Sequence, residues 1–188
     1  MFKTSPAGMH KDEFVKVFGG VYEHSPWIAE KAWELGLTSS HDSPEGLAQL
    51  MSGIVNSANT GKQLELILAH PDLAGKAAQA GELTTESSSE QSGAGIDQCN
   101  ALEFEQFQQF NRAYRAKFEF PFIMAVKGSS RHQILQAFEQ RLPNNYETEF
   151  KQALEQVHKI ARFRFADIAK DSGSKRQLNS EETMGRQP

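Results

Sequence analysis

A histidine and a glutamate twenty positions apart are the residues of this sequence whose types and spacing suggest chemistry. His70 ends the apolar run Leu64-Glu65-Leu66-Ile67-Leu68-Ala69 and is followed at once by Pro71. Proline restricts the residue before it and does not continue the helical hydrogen-bond ladder, so the pattern predicts that His70 lies at a helix terminus. An imidazole held at the end of a packed helix is well placed to transfer a proton near neutral pH.

Glu90 lies in a second polar segment, Ser87-Ser88-Ser89-Glu90-Gln91, which follows a stretch of small and polar residues. Our hypothesis is that this segment folds back against the chain around His70 and forms one active site with it. A simpler interpretation competes, because Ser-x-x-Glu is also the capping-box pattern, in which Ser87 caps a helix and Glu90 bonds back to the Ser87 amide. For Ser87 both interpretations can hold, since a helix N-terminus also offers amides to an anionic ligand. For Glu90 they exclude each other.

Other interpretations use the same residues. His70, Asp72 and Glu90 would be the ligands of a metal-dependent hydrolase, although their spacing matches no strong zinc signature. The residue types also allow a Ser-His-Asp hydrolase, but the sequence has no Gly-x-Ser-x-Gly frame. A histidine at a helix C-terminus can also serve only to interact with the negative end of the helix dipole. The residue pattern by itself leaves these alternatives open.

The composition indicates one domain with a substantial core. The chain has 188 residues, and its 13 Phe and two Trp provide large apolar surfaces. A net charge of −4 without long blocks of either sign argues against a nucleic-acid or membrane surface. The single cysteine, Cys99, excludes an internal disulfide and fits a reducing compartment. Because no segment has the apolar length of a membrane span or the core of a signal peptide, we expect a cytoplasmic protein.

The apolar pattern predicts an all-α fold. We expect a single-domain, compact bundle of about eight helices over residues 1–170, followed by a flexible polar tail at 171–188. The last helix is expected to end near Ala169. Phe120-Pro121-Phe122-Ile123 breaks the helical pattern and is predicted to be an extended segment near the site. The clearest helical spacing is in an aromatic series that we interpret as core: Phe104, Phe107, Phe110, Tyr114 and Phe118.

Two arginines of the last predicted helix are two residues apart and therefore face different sides. We expect one of Arg162 and Arg164 to be solvated and the other to point inward. The inward guanidinium would bind a carboxylate or a planar amide through two parallel hydrogen bonds.

Five motifs occur here in the order found in one family. They are Glu23-x-Ser25-Pro26-Trp27, His70-Pro71-Asp72-Leu73-Ala74, Ser87-x-x-Glu90-Gln91-x-x-Ala94-Gly95, Asn111-x-x-Tyr114-x-x-Lys117-Phe118-x-Phe120-Pro121-Phe122 and Ile160-Ala161-x-x-Arg164. With these motifs, from about residue 10 to residue 168, the chain resembles the 2-oxo-4-hydroxy-4-carboxy-5-ureidoimidazoline (OHCU) decarboxylases of urate breakdown. Glu119 departs from the glycine that this family often has between two phenylalanines, which bears on local backbone shape more than on chemistry.

The resemblance implies an all-helical carboxy-lyase, commonly a homodimer, that converts OHCU to (S)-allantoin without a cofactor or a metal. Carried over by position, His70 and Glu90 match the catalytic residues. Substrate contacts are implied for Pro71, Ser87, Gln91, Arg164 and the backbone amides near Phe122 and Ile123.

Partners and rival functions follow from the same comparison. Some relatives are fused to a transthyretin-like hydrolase domain, and this chain has no room for one, so the preceding 5-hydroxyisourate hydrolase would be a separate protein. One rival is a helical ligand-binding or scaffold module without activity. The other is the metal-dependent hydrolase that uses His70 and Glu90, for which loss of activity on chelation would be the test.

Overall fold

The structure, a computed structural model, describes residues 1–181, without the side chains of residues 77, 79 and 171–181. Within this part of the chain the regular structure consists of nine α-helices and three short 3-10 helices, which confirms the predicted all-α class. The α-helices are α1 (Lys11–Phe18), α2 (Trp27–Glu34), α3 (Pro44–Ser57), α4 (Thr60–Leu68), α5 (Lys76–Ala80), α6 (Thr85–Gly93), α7 (Ala101–Phe118), α8 (Arg131–Arg141) and α9 (Tyr146–Glu181). The 3-10 helices are Pro6–Gly8, Ser39–Asp42 and Ile96–Gln98.

The last helix extends beyond its predicted end. α9 continues to Glu181. The predicted end near Ala169 was too early, since it was based on the small number of apolar residues after that position. Residues 182–188, which belong to the predicted tail 171–188, lie outside the described residues. The division into a domain and a flexible tail therefore stays a prediction. Among the described helices, none combines the length and the apolar character that crossing a bilayer requires.

Contacts between residues divide the chain into two units. The first comprises Met1–Ser57 and the chain from Ala161 onward, and the second comprises Ala58–Ile160, so α9 contributes residues to both. The second unit contains α4 to α8, and with them both His70 and Glu90.

An aromatic cluster forms the core of the first unit. Phe18 of α1 lies at its centre, with ring centroids 4.9 Å from Phe14, 5.1 Å from Phe2 and 6.1 Å from Phe165. Phe14, Phe18 and Phe165 are fully buried. This cluster joins α1 to the later part of α9.

The aromatic series of α7 forms the core of the second unit, as predicted. Phe107, Tyr114 and Phe118 are fully buried, whereas Phe104 and Phe110 are half-buried at its edge. Residues at this spacing share one face of the helix, so α7 presents a continuous aromatic stripe to the interior.

The chain after α7 has neither helix nor strand over residues 121–126 and is held in place by α8. Arg141 of α8 lies over the Phe122 ring, 4.3 Å from its centroid, and donates to the Ile123 carbonyl oxygen at 2.7 Å. Phe122 and Ile123 are both buried. The segment that carries two predicted substrate contacts is thus anchored by packing and by a charge-assisted hydrogen bond.

A fully buried carboxylate, Glu149 of α9, is bound by three side chains of the second unit. Arg141 donates to it through Nη2 at 2.9 Å and through Nε at 3.1 Å, and Asn144 donates at 2.7 Å. The Tyr114 hydroxyl donates to it as well. Burial, and next this hydrogen bond, raise the pKa of Tyr114 above its ordinary value, so the hydroxyl stays protonated and remains a donor.

We expect Tyr114→Phe to lower the free energy of unfolding by about 1–3 kcal/mol, because a hydrogen bond to a buried charge is lost while Glu149 keeps its other partners. Urea unfolding followed by circular dichroism measures the change. Tyr146→Phe is the matched control: that side chain is exposed (46%), so its variant should differ from the parent by no more than about 0.5 kcal/mol. Equal effects of the two substitutions would contradict this role for Tyr114.

Candidate active site

His70 lies two residues after the end of α4, and only 7% of its surface is exposed. Its backbone N–H donates to the Ile67 carbonyl oxygen at 3.2 Å, which leaves the Leu66 carbonyl at the helix end for another donor. The imidazole is that donor, since Nδ1 lies 2.9 Å from the Leu66 oxygen. The prediction that His70 lies at a helix terminus is confirmed.

The contact with Leu66 determines which nitrogen of His70 carries a hydrogen. A carbonyl oxygen only accepts hydrogen bonds, so Nδ1 carries the hydrogen and donates it. In the neutral imidazole Nε2 then lacks a hydrogen, and the proton is gained or lost at Nε2. The position at the C-terminal end of α4 also suits a cationic imidazole. The position of His70 is therefore compatible both with an interaction with the helix dipole and with a role in proton transfer.

The segments around His70 and Glu90 contact each other, as hypothesised. The backbone N–H of Ala74, in the loop that follows His70, donates to Gln91 Oε1 at 3.0 Å in a buried hydrogen bond. Gln91 is 5% exposed and follows Glu90 directly on α6. Because the amide oxygen of Gln91 is engaged with the loop, a substrate contact of this side chain would use the amide nitrogen.

The capping interpretation of Ser87 and Glu90 is wrong. The N-cap of α6 is Thr84, whose hydroxyl oxygen accepts a hydrogen bond from the Ser87 backbone N–H at 3.2 Å. Ser87 is therefore the third residue of the helix, and Glu90 lies one turn further on, where it cannot close a capping box. Ser87 is buried and Glu90 is half-buried, and both make polar contacts. The structure thus removes the local competitor of a chemical role for Glu90.

A cavity of about 350 Å³ lies in the second unit beside the contact between Ala74 and Gln91. Gln91 is the predicted site residue in its wall, which does not include His70 or Glu90. Burial, and next the Glu103 carboxylate, raise the pKa of Cys99 in the same wall, which keeps this cysteine a thiol. The lining mixes polar and apolar side chains: Ala74, Ala78, Leu83, Ser88, Gln91, Ser92, Ile96, Asp97, Cys99 and Phe104.

Asp72, a ligand in the alternative metal site with His70 and Glu90, is bound to an arginine. Asp72 binds Arg115 of α7, with Nε at 2.9 and 3.0 Å from the two carboxylate oxygens. In the described part of the chain, no group of three or more His, Cys, Asp or Glu side chains is placed to hold a metal ion. Pro71, between His70 and Asp72, is half-buried, and its contact with substrate stays a prediction.

Arg164 is the inward-pointing arginine of the pair on α9. It is 5% exposed, whereas Arg162 is exposed, which resolves the alternative left open by the spacing. Within the first unit, its Nη1 lies 2.7 Å from Oε2 of Glu23, which is 1% exposed. A buried guanidinium needs such a partner, because an unpaired buried charge is strongly unfavourable. The sequence showed Glu23 only as a member of the first motif and gave no sign of this ion pair.

Comparison with known proteins identifies one family. Residues 7–166 match the family model described as OHCU decarboxylase. A 2-oxo-4-hydroxy-4-carboxy-5-ureidoimidazoline decarboxylase of Halalkalicoccus jeotgali is 44% identical over 158 residues, which are 84% of this chain and 86% of the relative. The uric acid degradation bifunctional protein PucL of Bacillus subtilis is 40% identical over 165 residues, which are 88% of this chain but 32% of that longer protein.

A solved structure agrees with these sequence matches. The crystal structure of an (S)-allantoin synthase resembles this chain with a TM-score of 0.69 at 33% identity. The superposition covers 89% of this chain and 54% of the other. The likeness therefore spans both units of the chain.

Proposed function

The chain belongs to the OHCU decarboxylase family, and from this premise we propose that it decarboxylates 2-oxo-4-hydroxy-4-carboxy-5-ureidoimidazoline to (S)-allantoin in urate breakdown, with His70 and Glu90 as catalytic residues. The observation that carries the proposal is the family match over residues 7–166. The buried hydrogen bond between Ala74 and Gln91 supports the choice of residues, because it joins the two chain segments that hold them.

The reaction asks little covalent chemistry of the protein. The substrate carboxylate is on a carbon next to a conjugated ring imine. When the bond to the carboxylate breaks and CO2 leaves, the remaining electron pair delocalises into the imine, whose nitrogen takes up a proton. The carbon that lost CO2 becomes a carbonyl as its hydroxyl proton leaves, and a proton binds to the former imine carbon, which carries the ureido group and becomes the stereocentre. A site for this reaction holds the carboxylate out of the ring plane, stabilises the charge on the ring and delivers the proton to one face.

His70 is proposed as the general acid and base of this sequence, acting through Nε2. Its Nδ1 hydrogen bond to Leu66 sets the orientation of the ring and the nitrogen at which the proton is exchanged. Glu90 would orient His70 or bind the ring hydroxyl and N–H groups of the substrate. The other proposed substrate contacts are Pro71, Ser87, the amide nitrogen of Gln91 and the backbone amides of Phe122 and Ile123.

Arg164 is proposed as a substrate-binding residue for a carboxylate or a ureido oxygen. We expect Arg164→Lys to raise KM about 10- to 100-fold, because lysine lacks the planar fork and a charge-assisted hydrogen bond contributes about 1.5–3 kcal/mol. Arg162→Lys is the matched control, since Arg162 is exposed on the same helix and its replacement should leave KM unchanged. Steady-state kinetics on both variants gives the comparison.

The ion pair with Glu23 makes a second measurement necessary. Urea unfolding of Arg164→Lys shows how much of the change comes from weakening the buried pair. A variant with an unchanged KM and a lower free energy of unfolding would mean that Arg164 serves only to pair with Glu23.

The assembly and the setting are proposed on the resemblance. We propose a homodimer in the cytoplasm that receives its substrate from a separate 5-hydroxyisourate hydrolase. The bifunctional relative supports the functional link, because it places a region like this one in a longer chain named for uric acid degradation. Analytical ultracentrifugation tests the dimer, and a sedimentation coefficient of a 21.0 kDa monomer at all concentrations would reject it.

The activity itself is tested with substrate made in situ. Urate and the enzymes of the preceding steps generate the unstable substrate, and circular dichroism follows the formation of optically active allantoin. Spontaneous decay yields a racemate, so a rising (S) signal on addition of this protein supports the proposal. A time course that matches the protein-free reaction rejects it and favours a binding or scaffold module.

A further inference from the structure

The chain after His70 forms a buried turn. The Gly75 N–H donates to the Asp72 carbonyl oxygen at 3.2 Å and closes it, and the two central residues, Leu73 and Ala74, are 7% and 3% exposed. Backbone polar groups buried in such a turn need partners, because water does not reach them.

Three amide side chains supply those partners. Asn111 Nδ2 donates to the Leu73 carbonyl oxygen at 2.8 Å, and Gln108 Nε2 donates to the Ala74 carbonyl oxygen at 2.7 Å. Gln91 accepts from the Ala74 N–H, as described above. Each of these backbone groups thus has a side-chain partner from α6 or α7.

The turn has a conformation that must be maintained by its surroundings. Ala74 has φ +53°, in the left-handed region that residues other than glycine rarely adopt. A Cβ atom on Gly75 would lie 2.7 Å from the Asp72 Cβ and 3.0 Å from its carbonyl oxygen, so this position requires glycine. Several hydrogen bonds hold a strained turn of this kind in one shape.

Polar side chains on one face of α7 bind this turn. Gln108, Asn111 and Arg115 follow one another at spacings of three and four residues, which places them on the same side of the helix. The first two bind the turn backbone and the third binds the Asp72 side chain. α7 therefore carries a polar stripe for the turn in addition to its aromatic stripe for the core.

Asn111 is the most informative member of this stripe. It is 5% exposed, and within the described residues its Oδ1 is a buried polar atom without a hydrogen-bond partner. The orientation of the amide is determined, because the Leu73 carbonyl needs a donor and only Nδ2 can provide one. An unpaired buried acceptor is unfavourable for folding, so the hydrogen bond from Asn111 to the turn is formed at a cost in stability.

We propose that Asn111 is a positioning residue for His70, acting with Gln108 through the turn at residues 72–75. Pro71 links the imidazole to the turn with a restricted backbone, so the position of the turn determines the path of the chain at His70. The Leu66 carbonyl holds the ring on one side and the clamped turn holds the backbone on the other. This inference rests on the proposed catalytic function of His70.

Asn111→Leu tests the proposal, since it removes the donor and keeps the size of the side chain. We expect kcat per folded molecule to fall about 10- to 100-fold with KM within about threefold of the parent, because the imidazole is displaced relative to bound substrate. The (S) excess of the enzymatic product should also fall, because protonation by water is not confined to one face. Circular dichroism gives the folded fraction and the product handedness.

The neighbouring glutamines form a matched pair. Gln108→Leu should lower kcat and the (S) excess in the same direction as Asn111→Leu. Gln109→Leu should change neither, because the Gln109 side chain is exposed and, among the described residues, donates to Glu105 of its own helix. If Asn111→Leu does not fold, Gln108→Leu carries the test, since Gln108 is only half-buried.

A purely structural role gives a different result. The folded fraction or the free energy of unfolding would then fall while kcat per folded molecule and the (S) excess stayed at parental values, and this would overturn the proposal. Parental activity in both Asn111→Leu and Gln108→Leu would overturn it as well. Normal turnover of His70→Gln would instead reject the catalytic role of His70 on which this inference rests, and a time course equal to the protein-free reaction would reject the proposed function, so these failures are distinguishable.

Discussion

Replacing His70 by glutamine is expected to lower kcat about 10²- to 10⁴-fold, the range that a general acid–base group contributes. Glutamine keeps a polar amide at the end of α4, although its nitrogen lies one bond further from the backbone than Nδ1, which donates to the Leu66 carbonyl in the parent. What the variant loses is an imidazole nitrogen that can accept and release a proton. The rate of (S)-allantoin formation from substrate made in situ is the measurement.

The comparison with an exposed histidine separates chemistry from charge. His10→Gln is the control, because His10 is exposed and lies in the other unit of the chain. We expect parental kcat and an unchanged unfolding curve for that variant, and circular dichroism shows whether His70→Gln is folded. His70→Ala is the less informative variant, since it removes every polar atom of the buried side chain. Normal turnover by folded His70→Gln would refute the catalytic assignment.

The features predicted correctly from the sequence depend on strong local rules. Proline after an apolar helical run placed His70 at the end of α4, and the spacing of the aromatic series placed Tyr114 in the core. The separation of Arg162 and Arg164 by two positions placed them on different sides of α9. In each case a single helix determines the outcome, so neighbouring residues contain enough information.

The incorrect prediction of the α6 N-cap shows the limit of reasoning from neighbouring residues. Thr84 and Ser87 are both good capping residues, and each begins a frame that a helix could follow. The two possible starts of α6 differ by three residues, less than one helical turn. Tertiary packing selects between them, and it includes the hydrogen bond between Gln91 and the loop after His70. Propensity alone does not separate alternatives that differ so little in energy.

The contacts between distant segments were beyond sequence reasoning for a different reason. Glu23 and Arg164 are 141 positions apart, and nothing in a single sequence pairs one carboxylate with one guanidinium among many. The polar stripe of α7 left a weaker trace, since Gln108, Asn111 and Arg115 have helical spacing beside the aromatic series. That spacing predicts a shared face, but the buried turn that the face serves is visible only in the fold.

Glu90→Gln is expected to lower activity about 10²- to 10³-fold, the loss seen when one preorganised electrostatic contact to a transition state is removed. The structure excludes loss of a helix cap as the cause of such an effect. Thr84, not Ser87, caps α6, so Glu90 has no capping function for glutamine to preserve or lose. Glutamate and glutamine have similar shapes and helix propensities, so we expect Glu90→Gln to fold, and urea unfolding measures any change in stability.

The kinetic form of the loss decides what the carboxylate does. A lower kcat with an unchanged KM indicates that Glu90 stabilises charge or orients His70 only in the transition state, whereas a raised KM indicates binding of the substrate hydroxyl and N–H groups in the ground state. Glu86→Gln, exposed in the first turn of the same helix, is the control and should retain parental kcat and KM. If Glu90→Gln also retained both values, the carboxylate would have no part in the chemistry, and proton transfer at His70 would have to proceed without it.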